Sequence, residues 1–387
     1  MANVRQGREL TRFLVLDSVI SEVSSSPSES GRLWGNRLDD GDLVQMTSTV
    51  QGNGLETVGS WVRFKAAAGE RSLDGTAVLV VQQGPGEVAI PEVYVDGNPQ
   101  PTDIIELAST FARIETVLKM DVLRSKNVLV AGLGSGGSRV ALELVKAGVG
   151  RLTLVDNERL SVENVARHLC GISDLGRHKT KAVRDMLMNH NPFLEIKTFE
   201  MDIGADVEAF DGLVRESDLV IAATGSTRLN NITNDLCVKA RVPAVFAGVW
   251  ARGSGGYAMR YIPEITPCYA CVHNTIFNLE PASHANVDYS NASSSDELKA
   301  EPGLSADIGF ISLLQSKFAI LALAGDAYES EISQPMVVWL NRAEGARPPW
   351  TLLKVNSARR DDCLSCGPGS IRQQAAEAAQ ARVSEGE

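Results

Sequence analysis

From Asn127 onward, short runs that are apolar or alternate apolar with polar residues are separated by segments whose apolar residues recur every three to four positions. The runs Asn127–Ala131, Arg151–Asp156, Leu194–Glu200, Asp218–Ala223 and Pro243–Ala247 read as strands. Helical periodicity fills the intervals, over Arg139–Ala147, Lys179–Asn189 and Leu229–Ala240. Strands that are apolar on both sides and alternate with helices belong to a mostly parallel sheet covered on both faces, so the fold class is α/β. A further apolar helix is expected over Ile308–Ala324, then strand candidates at Met336–Leu340 and Trp350–Val355. Upstream, apolar residues at helical spacing through Ile105, Leu107, Phe111, Ile114, Leu118 and Val122 predict one or two helices between Thr102 and Leu123. Residues 1–105 show only short alternating runs such as Ser60–Phe64 and Thr76–Val81, separated by Gly and Pro. They read as a small α+β or β-rich N-terminal domain, a binding or dimerisation module. The organisation expected is therefore 1–105, a main domain over 106–369, and a flexible Gln/Ala/Glu-rich tail over 370–387. Within the main domain, His273 to Ser305 turns polar and aperiodic, which predicts a long functional loop.

The first strand of the main domain runs directly into Gly132-Leu133-Gly134-Ser135-Gly136-Gly137-Ser138, and the second ends on Asp156. A glycine loop between a strand and a helix lets backbone approach phosphates, while the helix N-terminus stabilises their charge. Strand, loop, helix, strand and terminal acid define a Rossmann-like nucleotide-binding unit, with the ligand at the C-terminal strand ends. By itself this pattern would read as NAD binding and an oxidoreductase. Four of the six cysteines form two CxxC pairs, Cys268/Cys271 and Cys363/Cys366, which can supply the thiolates of a tetrahedral structural zinc site. Cys170 and Cys237 are isolated.

Charge narrows the partners. With 48 acidic and 37 basic residues the net charge is −11, which disfavours nucleic acid and membrane surfaces. The N-terminus has no apolar signal core, and no uninterrupted apolar run approaches the length of a membrane span. A cytoplasmic protein is expected.

The residues after Asp156 carry the decisive pattern: Asn164-x-x-Arg167, then Gly176-x-x-Lys179. With the glycine loop, the terminal Asp and the two CxxC pairs, the chain over roughly 106–366 resembles the ThiF/MoeB/E1 superfamily. Those adenylyltransferases activate ubiquitin-like and sulfur-carrier proteins. The resemblance implies ATP as nucleotide, with Gly132, Gly134, Gly136 and Gly137 around its phosphates and Asp156 on the ribose hydroxyls. It implies that Asn164 and Arg167 approach the phosphates and that Lys179 stabilises the charge developing at the α-phosphorus. Cys268, Cys271, Cys363 and Cys366 would hold structural Zn2+. Arg113 falls near a position where dimeric members carry an arginine that reaches the partner's site, with Arg124 as the competing candidate. The partner implied is a ubiquitin-like or sulfur-carrier protein with a C-terminal Gly, acting on a homodimer and followed in some systems by an E2-like protein. The added N-terminal domain looks like that of bacterial ubiquitin-like conjugation systems, some linked to phage defence.

Two departures stand beside these matches. Where the family carries an Asp that holds Mg2+ after the fourth strand, this chain reads Thr224-Gly225-Ser226. Mg2+ is then expected to be held differently, through Asp156 and water, or catalysis is impaired. The loop 273–305 also lacks the cysteine that thioester-forming members use there. A catalytically impaired pseudo-E1 serving as a dimeric scaffold is therefore the alternative reading.

Overall fold

The structure is a computed structural model of the chain. It describes residues 11–28, 30–38, 43–51, 55–65, 77–83, 91–115, 117, 120–191, 193–279, 303–325, 335–343 and 347–370. The residue contacts divide the chain into two units, Met1–Ala112 and Arg113–Glu387.

In the first unit an eight-stranded mixed sheet carries the helix Asp17–Ser25. Val19 and Val23 of that helix join Phe13, Val15, Leu33, Met46, Trp61 and Leu79 in one core. Each fully buried side chain of this size contributes about 1.5–3 kcal/mol. The expected helix over Thr102–Leu123 is corrected here. Thr102–Ile105 is a strand that pairs in parallel with Arg12–Leu16. A single 3₁₀ turn, Leu107–Phe111, follows it, and the second unit opens with a short helix, Met120–Arg124. Ladder bonds along the edge of the sheet outweigh the helical spacing of apolar residues, because periodicity is a weak prior once a partner strand is available.

The second unit contains an eight-stranded sheet in the order Glu195–Phe199, Arg151–Val155, Asn127–Ala131, Leu219–Ala222, Ala244–Val249, Gly255–Tyr261, Met336–Leu340, Thr351–Val355. The first five strands pair in parallel and the last three pairings are antiparallel. Along Asn127–Ala131, Leu129 and Ala131 face one core while Val128 and Val130 face another. This is why the strands read as unbroken apolar runs. One face is covered by Val207–Arg215, Thr227–Ala240 and Tyr269–Leu279, the other by Ser135–Lys146, Lys179–Met188 and Ser305–Ala324. By length and composition Ser305–Ala324 could cross a membrane, but it packs on the sheet as a core helix. Its buried Gln315 donates to the carbonyls of Ala222 and Val245 at 3.0 and 3.1 Å, bridging two neighbouring strands.

Both ends of the expected loop 273–305 are helical. His273–Leu279 completes a helix and Ser305 begins another; residues 280–302 lie outside the described residues. So do residues 371–387 of the expected tail, whereas Ser370 is buried and donates its N–H to Gly367.

Candidate nucleotide site and cysteine cluster

The strand order reverses between Asn127–Ala131 and Leu219–Ala222, and at such a switch point the C-terminal strand ends leave a crevice for a ligand. The glycine loop fills its floor. Gly132 has φ +90°, and a Cβ there would lie 2.7 Å from the carbonyl oxygen of Ala223. Gly134 precedes the helix Ser135–Lys146, and a Cβ on it would meet nothing within 4 Å. Gly136 is nearly as open, with only Ser312 Oγ at 3.5 Å. Gly132 and Gly137, where a Cβ would lie 2.7 and 1.9 Å from backbone oxygens, are therefore dictated by neighbouring backbone, and Gly134 and Gly136 border free space in front of unpaired helix N–H groups.

Asp156 is half-buried, at the end of the adjacent strand. Its Oδ2 accepts the N–H of Leu133 at 2.6 Å and its Oδ1 that of Glu158 at 2.8 Å. Burial raises its pKa, opposed by the charge of Lys179 and by these two bonds. The carboxylate keeps further lone pairs for hydroxyl donors.

Lys179 opens the helix Lys179–Met188 and is 4% exposed. Its ammonium bonds to the carboxylate of Glu158, and its backbone N–H donates to the Glu158 carbonyl at 3.0 Å. A buried cation costs several kcal/mol unless paired, and Glu158 is the partner that sequence reasoning missed. Its position two residues after Asp156 was the available signal.

Asn164 and Arg167 lie on the short segment that follows. Asn164 Oδ1 accepts the N–H of Ser161 at 3.2 Å in a capping box, leaving its Nδ2 to donate elsewhere. Arg167 is half-buried and its Nε has no hydrogen-bond partner, so a buried donor stands without an acceptor. Next to it, His168 Nε2 bonds to the Leu133 carbonyl at 2.7 Å, which draws this segment against the glycine loop. Arg177 anchors the following turn through ion pairs with Asp174, at 2.7 Å, and Asp185. Arg113 and Arg124 are exposed, and among the described residues no contact joins either side chain to this group. Cys170 and Cys237 are buried; burial pushes the Cys170 thiol up to about 12 and raises that of Cys237 as well, so neither is a nucleophile at neutral pH.

The residues after Leu219–Ala222 do not fit a protein-held Mg2+. Gly225 is exposed at φ +72° and offers no ligand. Among the described residues no carboxylate cluster is close enough to hold an ion. The turn after Leu219–Ala222 thus supplies no carboxylate of its own to a hard cation, and Asp156 is already engaged by two N–H groups.

The cysteines do fit a metal. The sulfurs of Cys268, Cys271, Cys363 and Cys366 all lie within 4.8 Å of one another. Individual pairs stand at 3.4 Å (Cys271 to Cys366), 3.6 Å (Cys268 to Cys363) and 3.8 Å (Cys268 to Cys271). A tetrahedron with Zn–S bonds of about 2.3 Å has edges of about 3.8 Å. Four buried thiols this close cannot ionise together without a cation among them. The backbone supports them: Arg360 N–H points to Cys271 Sγ at 3.5 Å. The hydroxyl of Ser365 donates to Asp235 at 2.5 Å, and Tyr269 N–H donates to Asn234 at 2.8 Å. Both cysteine turns are thereby fastened to Thr227–Ala240, the helix that starts just after Gly225.

A Rossmann-like sheet, a glycine loop with its terminal Asp, a buried Lys beside them and a four-thiol cluster define the E1-like class of α/β proteins. The profile of the ThiF family matches residues 108–365, and the chain belongs to that family. It is 33% identical to the molybdopterin-synthase adenylyltransferase of Salmonella typhimurium over 153 residues, 39% of this chain and 60% of that protein. HesA of Nostoc sp. is 32% identical over 151 residues, 39% of this chain and 58% of HesA. The matched stretch thus spans less than two thirds of these relatives. Among solved structures, Escherichia coli MccB with ATP superposes with a TM-score of 0.52 at 20% identity, over 67% of this chain and 74% of MccB. That likeness shows the fold.

Proposed function

We propose that the chain adenylates the C-terminal glycine carboxylate of a ubiquitin-like or sulfur-carrier protein. The observation that carries this reading is the meeting at neighbouring C-terminal strand ends of open glycine N–H groups, Asp156 and buried Lys179, with the unpaired Nε of Arg167 on the segment that His168 ties to the glycine loop. The carboxylate oxygen attacks the α-phosphorus of ATP, the bond to the bridging β-oxygen breaks, and pyrophosphate leaves with its electron pair. The nucleophile is already ionised, so no general base is needed. What the reaction requires is fixed positive charge where negative charge accumulates. Lys179 and Arg167 supply it, and Glu158 holds Lys179 in place until phosphates compete for the ammonium. Membership of the ThiF family and the named activity of the Salmonella relative support this assignment. In a homodimer, Arg113 is the residue we assign to the neighbouring site.

ATP–pyrophosphate exchange tests the reading. Exchange should appear only when a small carrier protein ending in Gly is added, and Arg167→Ala or Lys179→Ala should each reduce it by about a hundredfold or more. A chain that binds ATP yet exchanges with no such carrier would instead be a scaffold, the alternative that Gly225 favours.

A further inference from the structure

Both backbone groups of Leu133, at the centre of the Gly132-Leu133-Gly134 turn, are held by side chains. Its N–H goes to Asp156 at 2.6 Å and its carbonyl to His168 Nε2 at 2.7 Å. The tautomer of His168 follows from its second bond. Cys170 N–H lies 3.0 Å from Nδ1 and can only donate, so Nδ1 carries a lone pair and the ring proton sits on Nε2. The ring is 7% exposed, and burial lowers its pKa, in keeping with the neutral form that both bonds require. The backbone N–H of His168 is tied in turn to the Asn164 carbonyl at 2.8 Å.

A trans peptide is planar, and its C=O and N–H point in opposite directions. Fixing the Leu133 carbonyl therefore fixes the direction of the Gly134 N–H. That N–H points away from the imidazole, on a residue whose added Cβ would meet nothing within 4 Å. Without the imidazole, a glycine-rich turn is free to rotate this peptide, because glycine on its far side adds little resistance.

We propose that His168 is a positioning residue for the nucleotide. Its neutral imidazole holds the Leu133–Gly134 peptide so that the Gly134 N–H is aimed at a phosphate oxygen. It also keeps the segment carrying Asn164 and Arg167 beside that same phosphate. The inference rests on the nucleotide reading above and adds a residue to it.

Three substitutions and two ligands test it. In His168→Gln the side-chain amide nitrogen falls where Nε2 was, keeping the donor to Leu133. In His168→Asn the amide oxygen falls where Nδ1 was, keeping only the acceptor for Cys170. His168→Leu keeps neither. Calorimetric titration with ATP should give affinity within about threefold of wild type for His168→Gln and roughly tenfold or weaker for the other two. Adenosine, which has no phosphate, should bind all four chains alike. Equal weakening by Gln and Asn, or parallel losses for ATP and adenosine, would reduce His168 to a structural core residue and overturn the proposal. Melting temperatures show which variants are folded; should His168→Leu unfold, the Gln and Asn pair still decides. A wild-type chain that binds neither ATP nor adenosine would overturn the nucleotide reading itself, and this inference with it.

Discussion

Gly137→Ala is expected to remove measurable ATP binding and to lower the thermal midpoint by roughly 5 °C, whereas Gly136→Ala leaves the midpoint unchanged or slightly raised. The two glycines are neighbours in the first turn of Ser135–Lys146, yet their surroundings differ. A Cβ on Gly137 would lie 1.9 Å from the Gly132 carbonyl oxygen, 3.0 Å from its carbon and 3.1 Å from Ala223 Cβ. None of these is the end of a flexible side chain, so the helix start or the loop must move, at a cost of about 1–3 kcal/mol or more. Any such movement displaces the N–H groups that face the crevice. At Gly136 the nearest atom is Ser312 Oγ at 3.5 Å, ordinary contact, and replacing Gly by Ala inside a helix gains up to about 1 kcal/mol. Circular-dichroism melts and ATP titration of both variants check this. Equal behaviour of the two would refute the assignment of Gly137 as the close-packed position.

The second large effect is metal loss. Wild-type chain should carry one zinc ion, and Cys363→Ser or Cys268→Ser should carry none and melt far earlier, with Cys237→Ser as a control that keeps its zinc. Structural zinc is worth about 10–16 kcal/mol in small peptide sites; a domain with its own core loses less, but several kcal/mol is a large share of total stability. The damage should spread beyond the cysteine turns, since Asp235 and Asn234 fasten them to the helix that begins at Thr227. Elemental analysis with melts of each variant measures both effects. Full stability in a zinc-free Cys363→Ser chain would show that thiol packing alone holds these turns.

Much of the second unit was legible from residue order. The five parallel strands and the helices at Ser135–Lys146, Lys179–Met188 and Thr227–Ala240 follow the apolar pattern, because buried strands and amphipathic helices leave distinct signatures, whereas the helix Val207–Arg215 was not foreseen. Thr102–Ile105 broke the rule, since pairing with Arg12–Leu16 depends on a strand far upstream that periodicity does not see. The antiparallel strand Gly255–Tyr261 was missed as well; its two glycines obscure any strand pattern, and its place is set by neighbours on either side, Ala244–Val249 and Met336–Leu340. His273, expected to open a loop, lies instead within a helix that the apolar contacts of Val272 and Ile276 carry on to Leu279.

By itself the sequence determined what depends on short spacings: the glycine loop between strand and helix, the acid that ends the next strand, the Asn164-x-x-Arg167 turn, Lys179 and the two CxxC pairs. Such features are set within one or two turns of chain, where spacing dictates which groups are adjacent. Only the tertiary structure decided which of them meet. Lys179 is buried against Glu158, His168 reaches across to the Leu133 carbonyl, and the four sulfurs converge from turns far apart in the chain. Hydrogen bonds and ion pairs hold over about 3 Å, and whether two distant residues come that close depends on how the sheet and its helices pack.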